Sequence, residues 1–188
     1  MKSWAWIVLA GWVTGCAPQP AHPWRTTDIS GHLPDLGFAL TDDQGRAVSQ
    51  ASYRGDVVLL YFGYSGCGTA CPVTLARLKS VLKNEGHDVR VLFVTVTPQT
   101  DTPAILHAYL SQFDPAHMTG LTGKPSDIEA LAKRYRVALP QEAAGPDLTH
   151  GTAIYIFDRT GHARLLAGPD DPDAALSHDL QCLAHDVC

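Results

Sequence analysis

The chain has 188 residues, of which 45% are hydrophobic and 18% are charged, and its formal net charge is −5. This length predicts one globular domain with an extension, and the composition is ordinary for a protein that forms a buried core. The lysine and arginine residues form no block along the chain, which argues against nucleic acid as a partner.

The N-terminal segment predicts export. Lys2 precedes a short apolar run over residues 4–13, too short to span a membrane comfortably. The run leads into a Val-Thr-Gly-Cys motif that ends at Cys16 and resembles a bacterial lipobox. We therefore expect a lipoprotein signal peptide at residues 1–15, lipidation of Cys16, and an exported, membrane-anchored lipoprotein facing the periplasm or the cell exterior. A plain secretory signal and an uncleaved anchor are the alternatives.

The next segment predicts a flexible tether. Residues 16–30 contain three prolines, and prolines favour an extended backbone. The remaining residues, 31–188, are expected to form the folded domain.

The first half of the domain predicts a β-hairpin followed by a central strand. Residues 38–41 and 46–48 flank an Asp-Asp-Gln-Gly turn. A continuous apolar run lies within residues 56–63, as expected for a strand buried on both faces. A loop of small residues follows, and Pro72 is expected at the first position of the next helix.

Later segments complete an alternation of strands and helices. Residues 89–96 predict a second buried strand, and Thr102 with Pro103 predicts a helix start. Ser126 and Glu129 match a capping box for a further helix. The last predicted elements are a hairpin over residues 152–157 and 163–167 and a helix over residues 172–183. This order predicts a thioredoxin-like α/β sandwich, with a central mixed β-sheet flanked by helices and an N-terminal β-hairpin.

Cys67 and Cys71 are the strongest chemical signal in the sequence. They lie between a predicted buried strand and a predicted helix, where unpaired N–H groups favour the thiolate. Three interpretations remain open from this segment alone: a structural disulfide, a redox dithiol, and a metal site. Two soft thiolates suit copper(I), and an added imidazole also accommodates copper(II).

Several motifs together resemble the SCO/SenC family. Each motif is weak alone, but they occur in order and at similar spacing over roughly residues 31–167. They are Leu-Thr-Asp-x-x-Gly at 40–45, Tyr-Phe-Gly-Tyr-Ser-x-Cys-x-x-x-Cys-Pro at 61–72, Thr-Pro-x-x-Asp-Thr-Pro at 97–103, Phe-Asp-Pro at 113–115 and Leu-Thr-Gly at 121–123.

The resemblance implies a membrane-tethered copper chaperone of thioredoxin-like fold that assists assembly of the copper site of cytochrome c oxidase. It implies one copper ion, Cu(I) or Cu(II), bound by Cys67, Cys71 and His150, the histidine just before the strand at 152–157. The implied partner is a copper-receiving exported or membrane protein, such as an oxidase subunit. The alternative is a thiol-disulfide oxidoreductase with Cys67 and Cys71 as catalytic residues. Whether the protein is an enzyme is left open.

The sequence also departs from the family pattern. Gly68 and Thr69 replace the usual Pro-Asp between the cysteines, and Thr97 and Thr149 replace aspartates. Copper binding tolerates these changes more easily than recognition of the usual client does, so the client could differ. Redox thioredoxins usually carry a cis-proline immediately before the equivalent strand, whereas residues 148–152 of this chain include no proline. This difference favours a metal site over a redox site.

Cys182 and Cys188 lie outside the resemblance. In an oxidising compartment a disulfide between them is expected to pin the C-terminus. The alternative is an auxiliary metal site, since His178, Cys182 and His185 share one face of a helix.

Overall fold

The computed structural model describes residues 23–83, 85–86, 88–139 and 152–185, and the strands in these residues form one sheet. In chain order the strands are β1 (Thr27–Asp28), β2 (Ala39–Asp42), β3 (Ala47–Ser49), β4 (Val57–Gly63), β5 (Val89–Thr95), β6 (Met118–Thr122), β7 (Ile154–Phe157) and β8 (Ala163–Ala167). The helices are a 3-10 helix at Gln50–Tyr53 and the α-helices α1 (Ala70–Leu82), α2 (Pro103–Leu110), α3 (Pro125–Arg134) and α4 (Asp173–His185). No helix in this part of the chain combines the length and the hydropathy that crossing a membrane requires.

The sheet is mixed. Its order is β1-β8-β7-β4-β5-β6-β2-β3, in which β4 pairs in parallel with β5, and β5 in parallel with β6. The other pairs are antiparallel, including the predicted hairpin of β2 and β3. The carboxyl ends of β4 and β5 therefore meet at one edge of the sheet, which is where ligands bind in open α/β folds.

The core has two layers because β4 and β5 are covered on both faces. Every residue of β4 is buried, as its unbroken apolar run predicts. Successive side chains of a strand point to opposite faces, so Leu59 packs with residues of α1, α2 and α4, whereas Leu60 packs with residues of α3. The predicted α/β sandwich is confirmed.

The predicted tether at residues 16–30 is wrong over the part that the structure describes. Thr27 and Asp28 form β1, which pairs with β8 through Leu166 and Leu165. The backbone N–H groups of Arg25 and Thr26 donate to the carboxylate of Asp179 on α4. The folded domain therefore begins before residue 31, because this segment finds backbone and side-chain partners that are distant in sequence.

Two predicted helix starts also need correction, and one is confirmed. Pro72 is the third residue of α1 and not the first. Proline is tolerated there because the N–H groups of the first helical turn have no partner within the helix. The capping box at Ser126 is wrong, because Pro125 takes the first position of α3 and Lys124 precedes it. Thr102 does cap α2, with its hydroxyl accepting from the N–H of Ile105.

Candidate metal centre

The loop between β4 and α1 carries the cysteine pair to the carboxyl edge of the sheet. Gly63 ends β4 and Ala70 begins α1, so Cys67 lies in the loop and Cys71 is the second residue of the helix. Neither cysteine takes part in a disulfide bond. The sequence prediction that places them between a buried strand and a helix start is confirmed.

A hydrogen bond joins the two cysteines. The backbone N–H of Cys71 donates to the Sγ atom of Cys67 over 3.3 Å. This N–H lies in the first helical turn, where it has no partner in the helix, and it is therefore available to a thiolate. The first turn of α1 thus holds the Cys67 sulfur next to Cys71.

The two thiols differ in their exposure to solvent. Cys67 is 8% exposed and Cys71 is fully buried. Burial raises the pKa of Cys71 to about 12, and a backbone hydrogen bond at Tyr64 offsets part of that effect. At Cys71 the loss of hydration therefore outweighs the backbone hydrogen bond at Tyr64, and the protonated thiol is favoured.

Gly63 is a residue of this site that the sequence analysis missed. A Cβ atom at this position would lie 2.8 Å from Cys71 Sγ and 2.6 Å from Cε2 of Phe93. The Cys71 sulfur therefore packs directly on the backbone of β4, and only glycine leaves room for it. The Tyr-Phe-Gly sequence at the end of the strand was the available signal.

Aromatic side chains line the buried side of the pair. Burial raises the pKa of Tyr61, and the charge of a Cys71 thiolate raises it further. The same causes act on Tyr109, whose ring packs against Phe93 with centroids 5.8 Å apart. Tyr64 is partly buried and packs against both core layers.

The structure brings together only part of the predicted ligand set. His150 lies outside the described residues, as do Cys16 and Cys188. Within residues 23–139 and 152–185, leaving out 84 and 87, no group of three or more His, Cys, Asp or Glu side chains could hold a metal ion. The fit to copper therefore rests on the adjacent thiols of Cys67 and Cys71, which are soft donors of the kind that copper(I) prefers.

The C-terminal cysteine lies in a different environment. Cys182 on α4 is disulfide-bonded, so it offers no thiolate there for an auxiliary metal site. His178 Nδ1 lies 3.8 Å from Cys182 Sγ and 3.0 Å from an oxygen of Asp179. The pairing of Cys182 with Cys188 stays a prediction.

The chain is similar to proteins of one family along most of its length. A family model described as SCO1/SenC matches residues 30–185. The mitochondrial SCO2 homolog of Bos taurus is 35% identical over 136 residues, which cover 66% of this chain and 50% of that protein. The chain spans about half the length of the curated relatives it matches.

Solved structures resemble the chain in the same way. Copper-bound ScoI of Bradyrhizobium japonicum has a TM-score of 0.69 and 35% identity, covering 79% of this chain and 98% of that chain. A SCO1/SenC family lipoprotein from Bacillus anthracis has a TM-score of 0.72 and 26% identity, covering 80% of this chain and 95% of that chain. These similarities confirm the predicted thioredoxin-like fold.

Proposed function

The chain belongs to the SCO1/SenC family, and from this premise we propose that it binds one copper ion and delivers it to a subunit of cytochrome c oxidase. The proposed ligands are Cys67, Cys71 and His150. The observation that carries the proposal is the proximity of the two cysteines at the carboxyl edge of the sheet, where the backbone N–H of Cys71 donates to Cys67 Sγ over 3.3 Å. The copper-bound relative from Bradyrhizobium japonicum supports it.

The unequal burial of the thiols supports a cargo role for the metal. Cys67 keeps a small exposed fraction, whereas Cys71 has none. A receiving protein can therefore compete for the copper from the side of Cys67, while Cys71 holds the ion until transfer is complete. Because the pKa of Cys71 is raised to about 12, copper binding displaces its proton, and affinity is expected to increase with pH.

Copper titration of the reduced protein tests the ligand set. The wild type is expected to bind one equivalent of copper, and His150→Ala is expected to bind it more weakly with a changed copper(II) spectrum. His162→Ala is the matched control. His162 lies in the turn after β7, and the end of β7 pairs with the start of β4, at the edge of the sheet opposite the cysteines. An unchanged affinity and spectrum in His150→Ala would contradict the three-ligand proposal.

A second candidate function is thiol-disulfide exchange, and the same asymmetry favours it. The Cys67 thiolate would attack a client disulfide, forming a mixed disulfide and releasing one client thiolate. Cys71 would then attack Cys67 Sγ, releasing the second client thiolate and leaving Cys67 and Cys71 oxidised. For this function, the reduced protein is expected to reduce one equivalent of a small disulfide, and His150→Ala is expected to do so equally well. Copper delivery does not predict this result.

We also infer a lipid anchor at Cys16 and an exported, membrane-associated protein. The Val-Thr-Gly-Cys motif carries this inference, and the lipoprotein from Bacillus anthracis supports it. The mass of the mature N-terminal peptide tests it, since Cys16→Ser should abolish both lipidation and cleavage before that residue.

A further inference from the structure

A buried carboxylate lies beside the cysteine loop and is not one of the proposed ligands. Asp101, in the Thr-Pro-x-x-Asp-Thr-Pro motif, is 1% exposed. Burial of a carboxylate costs free energy unless hydrogen-bond donors replace the water that it loses. The donors to Asp101 therefore show which segments it holds in place.

Among the described residues, the donors to the Asp101 side chain come from the carboxyl edge of β4 and β5. Ser65 donates twice, from its backbone N–H over 3.0 Å and from its hydroxyl over 2.5 Å. Thr95 donates from its hydroxyl over 2.6 Å, and Thr97 over 3.3 Å. Asp101 therefore joins the loop after β5 to the loop after β4, which carries Cys67.

The link from Asp101 to the Cys67 sulfur is short. Ser65 precedes Cys67 by two residues, and the N–H of Cys67 donates to the carbonyl oxygen of Tyr64 over 3.2 Å. On its other side, the Cys67 sulfur accepts the N–H of Cys71. The loop is thus fixed at Ser65 by a carboxylate and at Cys67 by the helix start.

We propose that Asp101 is a positioning residue for the copper-binding pair: by fixing Ser65, it sets where the Cys67 sulfur lies relative to Cys71. This inference rests on the proposed copper-binding function. The start of α2 does not account for Asp101, because Thr102 caps that helix with its own hydroxyl. Both carboxylate oxygens of Asp101 instead accept from Ser65.

The main test compares the copper(I) affinity of Asp101→Asn with that of the wild type, by competition with a chromophoric chelator. The variant preserves the shape of the side chain but replaces one acceptor oxygen with an NH₂ donor, which opposes the donors from Ser65 and Thr95. Loss of a residue that orients a ligand weakens metal binding by roughly 10-fold or more, and we expect that effect here. The copper(II) spectrum should change with it.

Asp179→Asn is the matched control for loss of stability. Asp179 is also a buried carboxylate, fully shielded from solvent, but its partners are Arg25 and Thr26 of the N-terminal segment and the neighbouring His178 of α4. Both variants should unfold at lower urea concentration, while Asp179→Asn should keep the copper(I) affinity within about twofold of the wild type. Wild-type affinity in folded Asp101→Asn, or an equal loss in both variants, would overturn the proposal.

Ser65→Ala provides a milder variant if Asp101→Asn does not fold. It removes the hydroxyl donor and leaves the N–H donor, so the expected loss of copper(I) affinity is about threefold, below that of Asp101→Asn. An affinity equal to that of the wild type would contradict the role assigned to Ser65 and with it the proposal.

A measurement without copper separates this inference from the proposed function. Iodoacetamide labelling followed by mass spectrometry gives the alkylation rates of Cys67 and Cys71 in the reduced protein. Asp101→Asn should change the ratio of the two rates several-fold, and Asp179→Asn should not. If the wild type binds no copper while this ratio changes, the copper proposal fails and the positioning role of Asp101 stands. An unchanged ratio in Asp101→Asn overturns the positioning role.

Discussion

Asp101 and Asp179 have the same chemistry and nearly the same burial, yet they hold different parts of the molecule together. Asp101 accepts hydrogen bonds from the loop that carries Cys67 and from the end of β5, both at the cysteine edge of the sheet. Asp179, on α4, accepts from Arg25 and Thr26 of the N-terminal segment. The burial of a carboxylate therefore does not reveal its role; the origin of its donors does.

The two regions also differ in what their loss should affect. The partners of Asp179 are two backbone N–H groups and a hydroxyl of the N-terminal segment, together with His178, so its contribution is to the stability of the fold. The donors to Asp101 include the Ser65 N–H, two residues from a proposed ligand, so its contribution extends to the geometry of the site. The predictions below separate stability from copper binding on this basis.

The largest effect on stability is expected for Asp179→Ala. The substitution leaves the N–H groups of Arg25 and Thr26 without their charged acceptor, and we expect the free energy of unfolding to decrease by about 3 kcal/mol. Urea unfolding followed by circular dichroism measures this change. Asp173→Ala on the same helix is the control: Asp173 is 58% exposed and pairs with Arg77, so its loss should cost less than about 1 kcal/mol.

The effect of Asp179→Ala should depend on pH. Burial raises the pKa of Asp179, but hydrogen bonds from His178, Arg25 and Thr26 more than offset this and leave the pKa below its usual value. A carboxyl whose pKa is lower in the folded state stabilises the protein above its unfolded pKa, about 3.9, and loses that contribution as the pH falls through the folded value. The difference in stability between wild type and variant should therefore narrow in acid. A difference that widens in acid would contradict the assignment.

A smaller loss of stability, combined with a change at the copper site, is expected for Gly63→Ala. The new methyl group would lie 2.8 Å from Cys71 Sγ and 2.6 Å from the ring of Phe93, so one of them must move. Overpacking of this kind costs about 2 kcal/mol. We expect weaker copper(I) binding as well, because the displaced sulfur is a proposed ligand.

Gly68→Ala is the matched control for this substitution. Gly68 lies in the same loop, but a Cβ atom there would have no neighbour within 4 Å. Its stability and copper affinity should be close to those of the wild type. If Gly63→Ala behaves like Gly68→Ala in both measurements, the Cys71 sulfur does not pack on β4 as described.

Sequence patterns predicted the structure correctly where it depends on neighbouring residues or on a strongly apolar segment. The continuous apolar runs of β4 and β5 predicted buried central strands, and Thr102 with Pro103 predicted the start of α2. The spacing of the two cysteines and the small residues around them predicted that the site lies between β4 and α1. The family resemblance supplied the copper proposal, since the residues alone left three interpretations open.

The missed elements depend on contacts that are distant in sequence. β6 includes Gly120, which lets Leu106 of α2 approach the strand and weakens its apolar pattern. β1 has two residues and exists because β8 offers a free edge. Gly63 and Asp101 could not be assigned roles from sequence, because neither the sulfur packed on the glycine nor the donors around the carboxylate can be inferred from spacing.

The smallest effect is expected for Thr102→Ala, which tests whether Asp101 acts through the cysteine loop or through α2. Thr102 follows Asp101 directly, and its hydroxyl accepts from the N–H of Ile105 over 3.4 Å. Loss of an N-cap costs about 1 kcal/mol, and Thr102→Ser should restore most of it. Since Thr102 makes no hydrogen bond to Ser65 among the described contacts, the copper(I) affinity of Thr102→Ala should stay at the wild-type value. A decrease as large as that of Asp101→Asn would mean that the start of α2, and not the contact of Asp101 with Ser65, sets the position of Cys67.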